Sequence, residues 1–141
     1  MRKVSEIMTT DVVTVTPRDN VYEVAVKMKQ HDIGYIPVVE VDGGRLLGVI
    51  TDRDLVIRGI AEKHPGSAAV ETVMSKGIET VSKDTSVDEA AELMAEQQIR
   101  RLPVTDGERL IGIVSIGDLA VRNIFANEAG EALTHISEQI H

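Results

Sequence analysis

A short motif that combines a glycine, a hydroxyl group and a carboxylate occurs twice in the 141-residue chain. Its two copies are GVITDRD at residues 48–54 and GIVSIGD at residues 112–118. Each copy lies where an apolar strand is expected to pass into a helix, so the hydroxyl of Thr51 or Ser115 and the first helical N–H groups would point to one place. The helix dipole favours an anion there, such as a phosphate. The carboxylate three residues on, Asp54 or Asp118, could accept two hydrogen bonds from the cis-diol of a ribose.

The same residues also fit a purely structural explanation. Thr51-x-x-Asp54 and Ser115-x-x-Asp118 have the spacing of a helix capping box, in which the hydroxyl and the carboxylate bond backbone N–H groups at the helix start. Either motif alone favours the cap. The glycine in both copies favours a ligand, because it would permit close approach of the backbone and a cap does not need it. Both explanations stay open at this point.

The two motifs are parts of a longer internal repeat. Residues 4–40 align with residues 70–106 at a constant offset of 66 residues, and beyond residue 40 the offset falls to 64. We therefore expect one repeat at residues 1–61, a linker at residues 62–69 and a second repeat at residues 70–123. A helical tail is expected at residues 124–141, either packed on its own protein or serving as a dimer contact.

Each repeat has the pattern strand, helix, strand, strand, helix. Apolar residues at i, i+3, i+4 and i+7 predict amphipathic helices that begin after Asn20 and Ser86, with Glu23 and Glu89 at capping-box spacing. Strands are predicted at residues 12–15, 35–41 and 46–50, and again at residues 78–81, 101–105 and 110–114. The fold class is therefore α/β (α+β). Because a domain of about 60 residues is marginal alone, we expect the two repeats to bury apolar faces against each other.

Composition excludes several classes of function. The chain has no cysteine, so it has no disulfide, thiolate metal site or cysteine nucleophile, and its four histidines are scattered. The net charge of −8 and the three aromatic residues argue against nucleic-acid binding. No apolar run approaches the roughly 20 residues of a membrane span, and we expect a cytoplasmic protein. We expect no catalytic residues, no metal site, no required cofactor and no enzymatic activity.

The repeats resemble cystathionine beta-synthase (CBS) domains, and the pair resembles a Bateman module. The residues that carry the resemblance are Ile36-Pro37-Val38 and Leu102-Pro103-Val104, each followed by Gly-x-x-[Thr/Ser]-x-x-Asp. The resemblance implies two β-α-β-β-α repeats packed by pseudo-twofold symmetry, with clefts that bind AMP, ADP, ATP, NAD or S-adenosylmethionine. Carried over by position, Thr51 and Ser115 would meet phosphate, Asp54 and Asp118 the ribose, and Ile36, Pro37, Leu102 and Pro103 the base.

Three arginines could supply positive charge for a phosphate. Arg53 lies within the first motif, and Arg100 and Arg101 precede Leu102; alternatively, all three are simply exposed surface. If both sites bind, we expect the second to prefer the more phosphorylated ligand.

As a function, we expect a stand-alone regulatory module that acts in trans on an unidentified protein partner and forms a homodimer, as CBS pairs commonly do. The alternative is a structural or dimerisation module that binds no ligand and whose motifs are helix caps.

Overall fold

The computed structural model describes residues 2–121, so the predicted tail lies outside the described residues. The chain divides into two compact units. We call Val12–Ile78 the repeat-1 unit, and residues 2–11 together with residues 79–121 the repeat-2 unit. Both units contain helices and a small sheet, in agreement with the expected mixed α/β class.

The repeat-1 unit contains two antiparallel strands and three helices. Its elements are α1 (Val21–His31), β1 (Tyr35–Val39), β2 (Leu46–Thr51), α2 (Asp52–Asp54), which continues as a π-helix (Leu55–Ile60), and α3 (Val70–Val73). The side chain of Asn20 accepts a hydrogen bond from the N–H of Glu23 at 2.8 Å, which confirms the predicted N-cap of α1. α1 ends at His31, and the C-cap residue Asp32 has the left-handed conformation.

The repeat-2 unit has a similar arrangement, but its sheet has three strands. Its elements are a 3-10 turn (Val4–Glu6), β3 (Val81–Ser82), α4 (Val87–Gln97), β4 (Arg101–Asp106), β5 (Arg109–Ser115) and α5 (Ile116–Val121). β3 pairs with β4 in parallel, and β4 pairs with β5 in antiparallel orientation. Ser86 caps α4 by accepting the N–H of Glu89 at 3.1 Å, as predicted.

The first strand of each repeat is shorter than predicted. Residues 12–15 contribute a single parallel bridge, from Val15 to Val38, and the strand predicted at residues 78–81 begins only at Val81. The register places Pro37 and Pro103 opposite the residues that immediately precede Val15 and Val81. Proline has no N–H to donate, so the parallel ladder cannot extend toward the N-terminus.

Each unit is completed by a segment that the sequence alignment assigns to the other repeat. Val70, Val73 and Met74 are buried in the core of the repeat-1 unit, and Val4 and Ile7 are buried in the core of the repeat-2 unit. Matching hydrogen bonds hold the two segments: the N–H of Val70 donates to the carbonyl of Asp19 at 2.8 Å, and the N–H of Val4 to that of Thr85 at 2.9 Å. The compact units therefore do not have the boundaries of the sequence repeats.

Candidate functional site

Both motifs form complete capping boxes. The Oγ1 of Thr51 accepts the N–H of Asp54 at 3.1 Å, and the Oδ2 of Asp54 accepts the N–H of Thr51 at 3.0 Å. Ser115 and Asp118 form the same pair of bonds at 3.1 and 2.9 Å. The structural explanation is thus confirmed in both repeats. It does not exclude a ligand, because each hydroxyl accepts one bond and still has a proton to donate.

The first helical N–H groups of the repeat-1 motif all have partners within the protein. Besides the two bonds of the capping box, the N–H of Asp52 donates to the carbonyl of Gly34 at 3.0 Å, and the N–H of Arg53 donates to the carboxylate of Asp52 at 2.8 Å. In the structure these N–H groups are therefore satisfied within the protein, and their contact with a phosphate stays a prediction. An anion there would depend on the Thr51 hydroxyl and on Arg53, which is exposed.

The glycines of the motifs are explained without a ligand. A Cβ on Gly48 would fall closer than 3.0 Å to the carbonyl oxygen of Ser75, whose backbone pairs with Val49. A Cβ on Gly112 would lie 2.9 Å from both the Cγ of Met8 and the carbonyl oxygen of Thr9. Both glycines permit a chain segment from the other repeat to cross the strand. The inference that they favour a ligand is therefore corrected.

The two aspartates differ in how fully their carboxylates are used. Asp54 is buried, and besides its cap it accepts the hydroxyl of Ser75 at 3.0 and 3.2 Å, with the Nε of Arg58 at 4.0 Å. Asp118 is half-buried, and among the described residues only the N–H of Ser115 bonds its carboxylate. Among the described residues, the Asp118 carboxylate thus accepts fewer hydrogen bonds than the Asp54 carboxylate does.

Ser75 and Arg58 are residues that the sequence reasoning missed. The Ser75 hydroxyl bonds Asp54, and the Nη1 of Arg58 donates to the carbonyl of Met74 at 3.2 Å, so both tie the repeat-1 motif to residues 70–75. We call residues 70–75 and residues 4–9 the exchanged segments, because each packs in the unit of the other repeat. A signal was present in the repeat alignment, since Ser75 matches Thr9 and both carry a hydroxyl. Thr9, however, is exposed. Arg122, the counterpart of Arg58, lies outside the described residues.

The residues assigned to the base lie on β1 and β4. Ile36 and Leu102 are fully buried in the two apolar cores, and Pro37 and Pro103 are buried beside them. Arg100 and Arg101 are exposed at the start of β4, and the carbonyl of Arg100 accepts the N–H of Ile116 at 3.0 Å. That bond places the backbone of Arg100 next to the Ser115 motif.

Two other kinds of site are not found in residues 2–121. No group of three histidine, cysteine, aspartate or glutamate side chains could hold a metal ion in this part of the chain. No helix among the same residues is both long and apolar enough to span a membrane.

The sequence is similar to families and proteins already known. The family model of the CBS domain matches residues 4–59 and again residues 70–122. Among relatives in Bacillus subtilis, protein YlbB is 49% identical over 98% of this chain and 93% of its own length. The CBS domain-containing protein YhcV of the same organism is 46% identical over 99% of this chain and 98% of its own.

Solved structures with the same fold include two with adenosine compounds. CBSX2 in complex with AMP is 26% identical, with a TM-score of 0.78, covering 90% of this chain and 99% of its own. The CBS domain pair of protein MJ0100, in complex with 5′-methylthioadenosine and S-adenosyl-L-methionine, is 26% identical, with a TM-score of 0.74, covering 91% of this chain and 98% of its own.

Proposed function

The chain belongs to the CBS domain family, and on that premise we propose that it is a regulatory module that binds an adenosine-type ligand. Candidate ligands are AMP, ADP, ATP, NAD and S-adenosylmethionine. Occupancy would be transmitted in trans to a protein partner through different affinities for two arrangements of the module. The module has no enzymatic activity of its own in this proposal, and we place it in the cytoplasm, as predicted from the lack of a long apolar run in the sequence.

The observation that carries the proposal is the state of the Ser115 and Asp118 side chains. The Asp118 carboxylate is half-buried and has one bonded partner among the described residues, so its remaining lone pairs can accept both hydroxyls of a ribose. The Ser115 hydroxyl accepts the N–H of Asp118 and retains its proton for a phosphate or another acceptor. Two similar structures, in complexes with AMP and with S-adenosyl-L-methionine, support an adenosine compound as the ligand class.

We propose the repeat-2 motif as the primary ligand site. The buried Asp54 carboxylate already accepts the Thr51 N–H and the Ser75 hydroxyl, whereas the half-buried Asp118 accepts one N–H among the described residues and has more lone pairs for a ribose. The exposed side chains of Arg100 and Arg101 begin the strand beside the Ser115 motif and would favour the more phosphorylated ligands there. Contact of the base with Ile36, Pro37, Leu102 and Pro103 stays a prediction.

A melting scan against the five candidate ligands tests the ligand class. Because the chain has no tryptophan, a dye or circular dichroism is the appropriate readout. A ligand at about 100 times its dissociation constant adds about 2.7 kcal/mol, which raises the melting temperature by several degrees. We expect one ligand to do so in the wild type and not in the Asp54→Asn/Asp118→Asn variant. No shift across the panel would contradict the proposal.

The charge preference has its own test. Replacement of Arg100 and Arg101 by alanine should weaken ATP more than AMP, because the additional phosphates lose their positive partners. Calorimetric titration of both nucleotides measures the ratio. An equal ratio of ATP affinity to AMP affinity in the variant and the wild type would show that these arginines do not contact the ligand.

The second candidate function is a structural module that assembles a homodimer. The observation in its favour is an apolar patch on the π-helix after Asp54, where Val56, Ile57 and Ile60 are 54%, 50% and 74% exposed. Exposed apolar groups of this kind are typical of contact surfaces. We propose a homodimer in either case, and the mass in solution tests it. An Ile57→Ser/Ile60→Ser variant should be monomeric, and a monomeric wild type would contradict the proposal.

A further inference from the structure

Sulfur occurs in this chain only as the thioether of methionine, because the sequence has five methionines and no cysteine. Three of the four described methionines are buried: Met28, Met74 and Met94 are 8%, 8% and 0% exposed. Met8 is half-buried, so it is the most exposed thioether in residues 2–121. Because oxidation follows exposure, Met8 is the described position at which an oxidant in the solvent would react first.

Met8 lies where an exchanged segment crosses the repeat-2 motif. Its Sδ and Cγ would be 2.5 and 2.9 Å from a Cβ on Gly112, so the thioether fills the space in which a side chain at that position would lie. The next residue, Thr9, exchanges two backbone hydrogen bonds with Ile113, at 2.8 and 3.0 Å. Met8 also packs against the apolar core of the repeat-2 unit. The thioether therefore contacts both the strand and the core that hold residues 4–9.

The repeat-1 unit has a methionine at the equivalent crossing, but that methionine is buried. Met74 matches Met8 at the offset of 66 residues, and its Sδ would lie 3.5 Å from a Cβ on Gly48. The Nη1 of Arg58 donates to the carbonyl of Met74, so an arginine side chain lies beside this crossing. The chain thus contains its own reference for Met8: the same residue type over the same strand position, with less of its surface in contact with solvent.

We propose that Met8 is a site of reversible oxidation by hydrogen peroxide, and that its sulfoxide loosens residues 4–9 from the repeat-2 unit. A lone pair of the sulfur attacks one peroxide oxygen, so an S–O bond forms and the O–O bond breaks. The second oxygen takes the proton of the first and leaves as water. The sulfur is oxidised by two electrons and the peroxide is reduced by two. The inference does not depend on the nucleotide proposal.

The sulfoxide suits this crossing less well than the thioether for two reasons. The added oxygen needs volume where the sulfur already lies against the backbone of Gly112, and overpacked sites are destabilised. It also places a polar group against apolar core side chains. Gly112 begins the repeat-2 motif, so release of the segment loosens β5, which ends at Ser115. Methionine sulfoxide reductases restore the thioether, which makes the change reversible.

The first measurement is mass spectrometry of the full chain during exposure to hydrogen peroxide. Trypsin cleaves after Lys3, so Met1 and Met8 are found on different peptides. We expect the Met8 sulfoxide to form about tenfold faster than the Met74 sulfoxide, because Met8 is the more exposed of the two. Equal rates at Met8 and Met74 would overturn the proposal, since the two crossings would then be equally protected.

Hydrogen exchange measures the effect of the sulfoxide on the structure. Peroxide treatment should accelerate exchange in residues 4–9 and 109–115 of the wild type, because the loosened segment opens more often. Met8→Leu should not respond, since leucine has a similar volume and no sulfur. Met74→Leu is the matched control and should respond as the wild type does. Both variants retain Met1, so acceleration caused by Met1 oxidation would appear in both of them.

Three results of the exchange experiment would overturn the proposal. They are unchanged exchange in the oxidised wild type, the same acceleration in Met8→Leu as in the wild type, and acceleration that persists after methionine sulfoxide reductases have removed the Met8 sulfoxide. The first and third results need no variant, so the test holds even if Met8→Leu does not fold. Circular dichroism checks the fold of both leucine variants.

Discussion

At the scale of single residues, the two motifs differ in the Ser75 hydroxyl. It bonds a carboxylate that is 10% exposed, so its removal leaves the Oδ1 of Asp54 without a hydrogen-bond donor among the described residues, while Oδ2 keeps the N–H of Thr51. We predict that Ser75→Ala lowers the free energy of unfolding by about 1.5–3 kcal/mol, the range for a hydrogen bond to a charged group. Urea denaturation measures the loss.

Thr9→Ala is the matched control for that substitution. Thr9 occupies the equivalent position in the other exchanged segment, where it is exposed and its hydroxyl has no bond among the described residues. Its replacement should change stability by less than about 0.5 kcal/mol. Equal losses in the two variants would show that the Ser75 bond to Asp54 contributes nothing particular.

The glycines of the motifs support a second prediction at this scale. In Gly48→Ala the new methyl group meets a backbone carbonyl that cannot rotate away, so we expect a loss of about 1–3 kcal/mol, as for an overpacked site. Gly59→Ala is the control, because its Cβ would have only an ordinary contact at 3.9 Å inside a helix. That change should be neutral or stabilising by up to about 1 kcal/mol. A tolerated Gly48→Ala with full stability would contradict the close crossing.

Residue types were predictable from the sequence, but their neighbours were not. The capping boxes at Thr51 and Ser115 follow from spacing within four residues, and the structure confirms them. The reason for Gly48 lies in Ser75, which is distant in the chain and comes from the second repeat. Local patterns contain no information about such a crossing, so the glycine was assigned to a ligand instead.

At the scale of single elements, the two amphipathic helices depend on their N-caps. We predict that Asn20→Ala costs about 1 kcal/mol, because the N–H of Glu23 loses its acceptor at the start of α1. Asn20→Ser should cost only a few tenths of a kcal/mol, since serine caps almost as well as asparagine. Thermal denaturation of both variants checks this. The cap would be irrelevant if serine and alanine were equally destabilising.

Helices and central strands were predicted more accurately than the edge strands. α1 and α4 have a strong apolar period and local caps, so their starts were located correctly. The strands at residues 12–15 and 78–81 depend on what lies opposite them, and the prolines of β1 and β4 stop the pairing. The sequence of a strand does not reveal that a proline in the neighbouring strand limits its length.

At the scale of the molecule, each unit depends on a segment that belongs to the other repeat by sequence. Val4→Ala removes volume from the core of the repeat-2 unit, and we expect a cost of about 2 kcal/mol. Hydrogen exchange should accelerate in α4 and β4, not in α1 and β1, because the unit that loses packing opens more often. Val70→Ala is the matched substitution and should accelerate α1 and β1 instead. Acceleration in the repeat that contains the substituted residue by sequence would contradict the exchange.

The alignment predicted that there are two similar halves but not how their segments are shared. An offset of 66 residues states which positions are alike, and it is equally consistent with a leading segment that packs on its own repeat. The apolar residues Val4, Ile7, Val70 and Val73 would be buried in either arrangement. Their assignment to one core or the other therefore required the structure.

The most direct test of the central claim is a calorimetric titration of the ligand found in the melting scan into three proteins: wild type, Asp118→Asn and Asp54→Asn. The account predicts that Asp118→Asn loses binding, while Asp54→Asn retains an affinity close to that of the wild type, since Asp54 is committed to Ser75. Binding that survives in Asp118→Asn and disappears in Asp54→Asn would contradict the account.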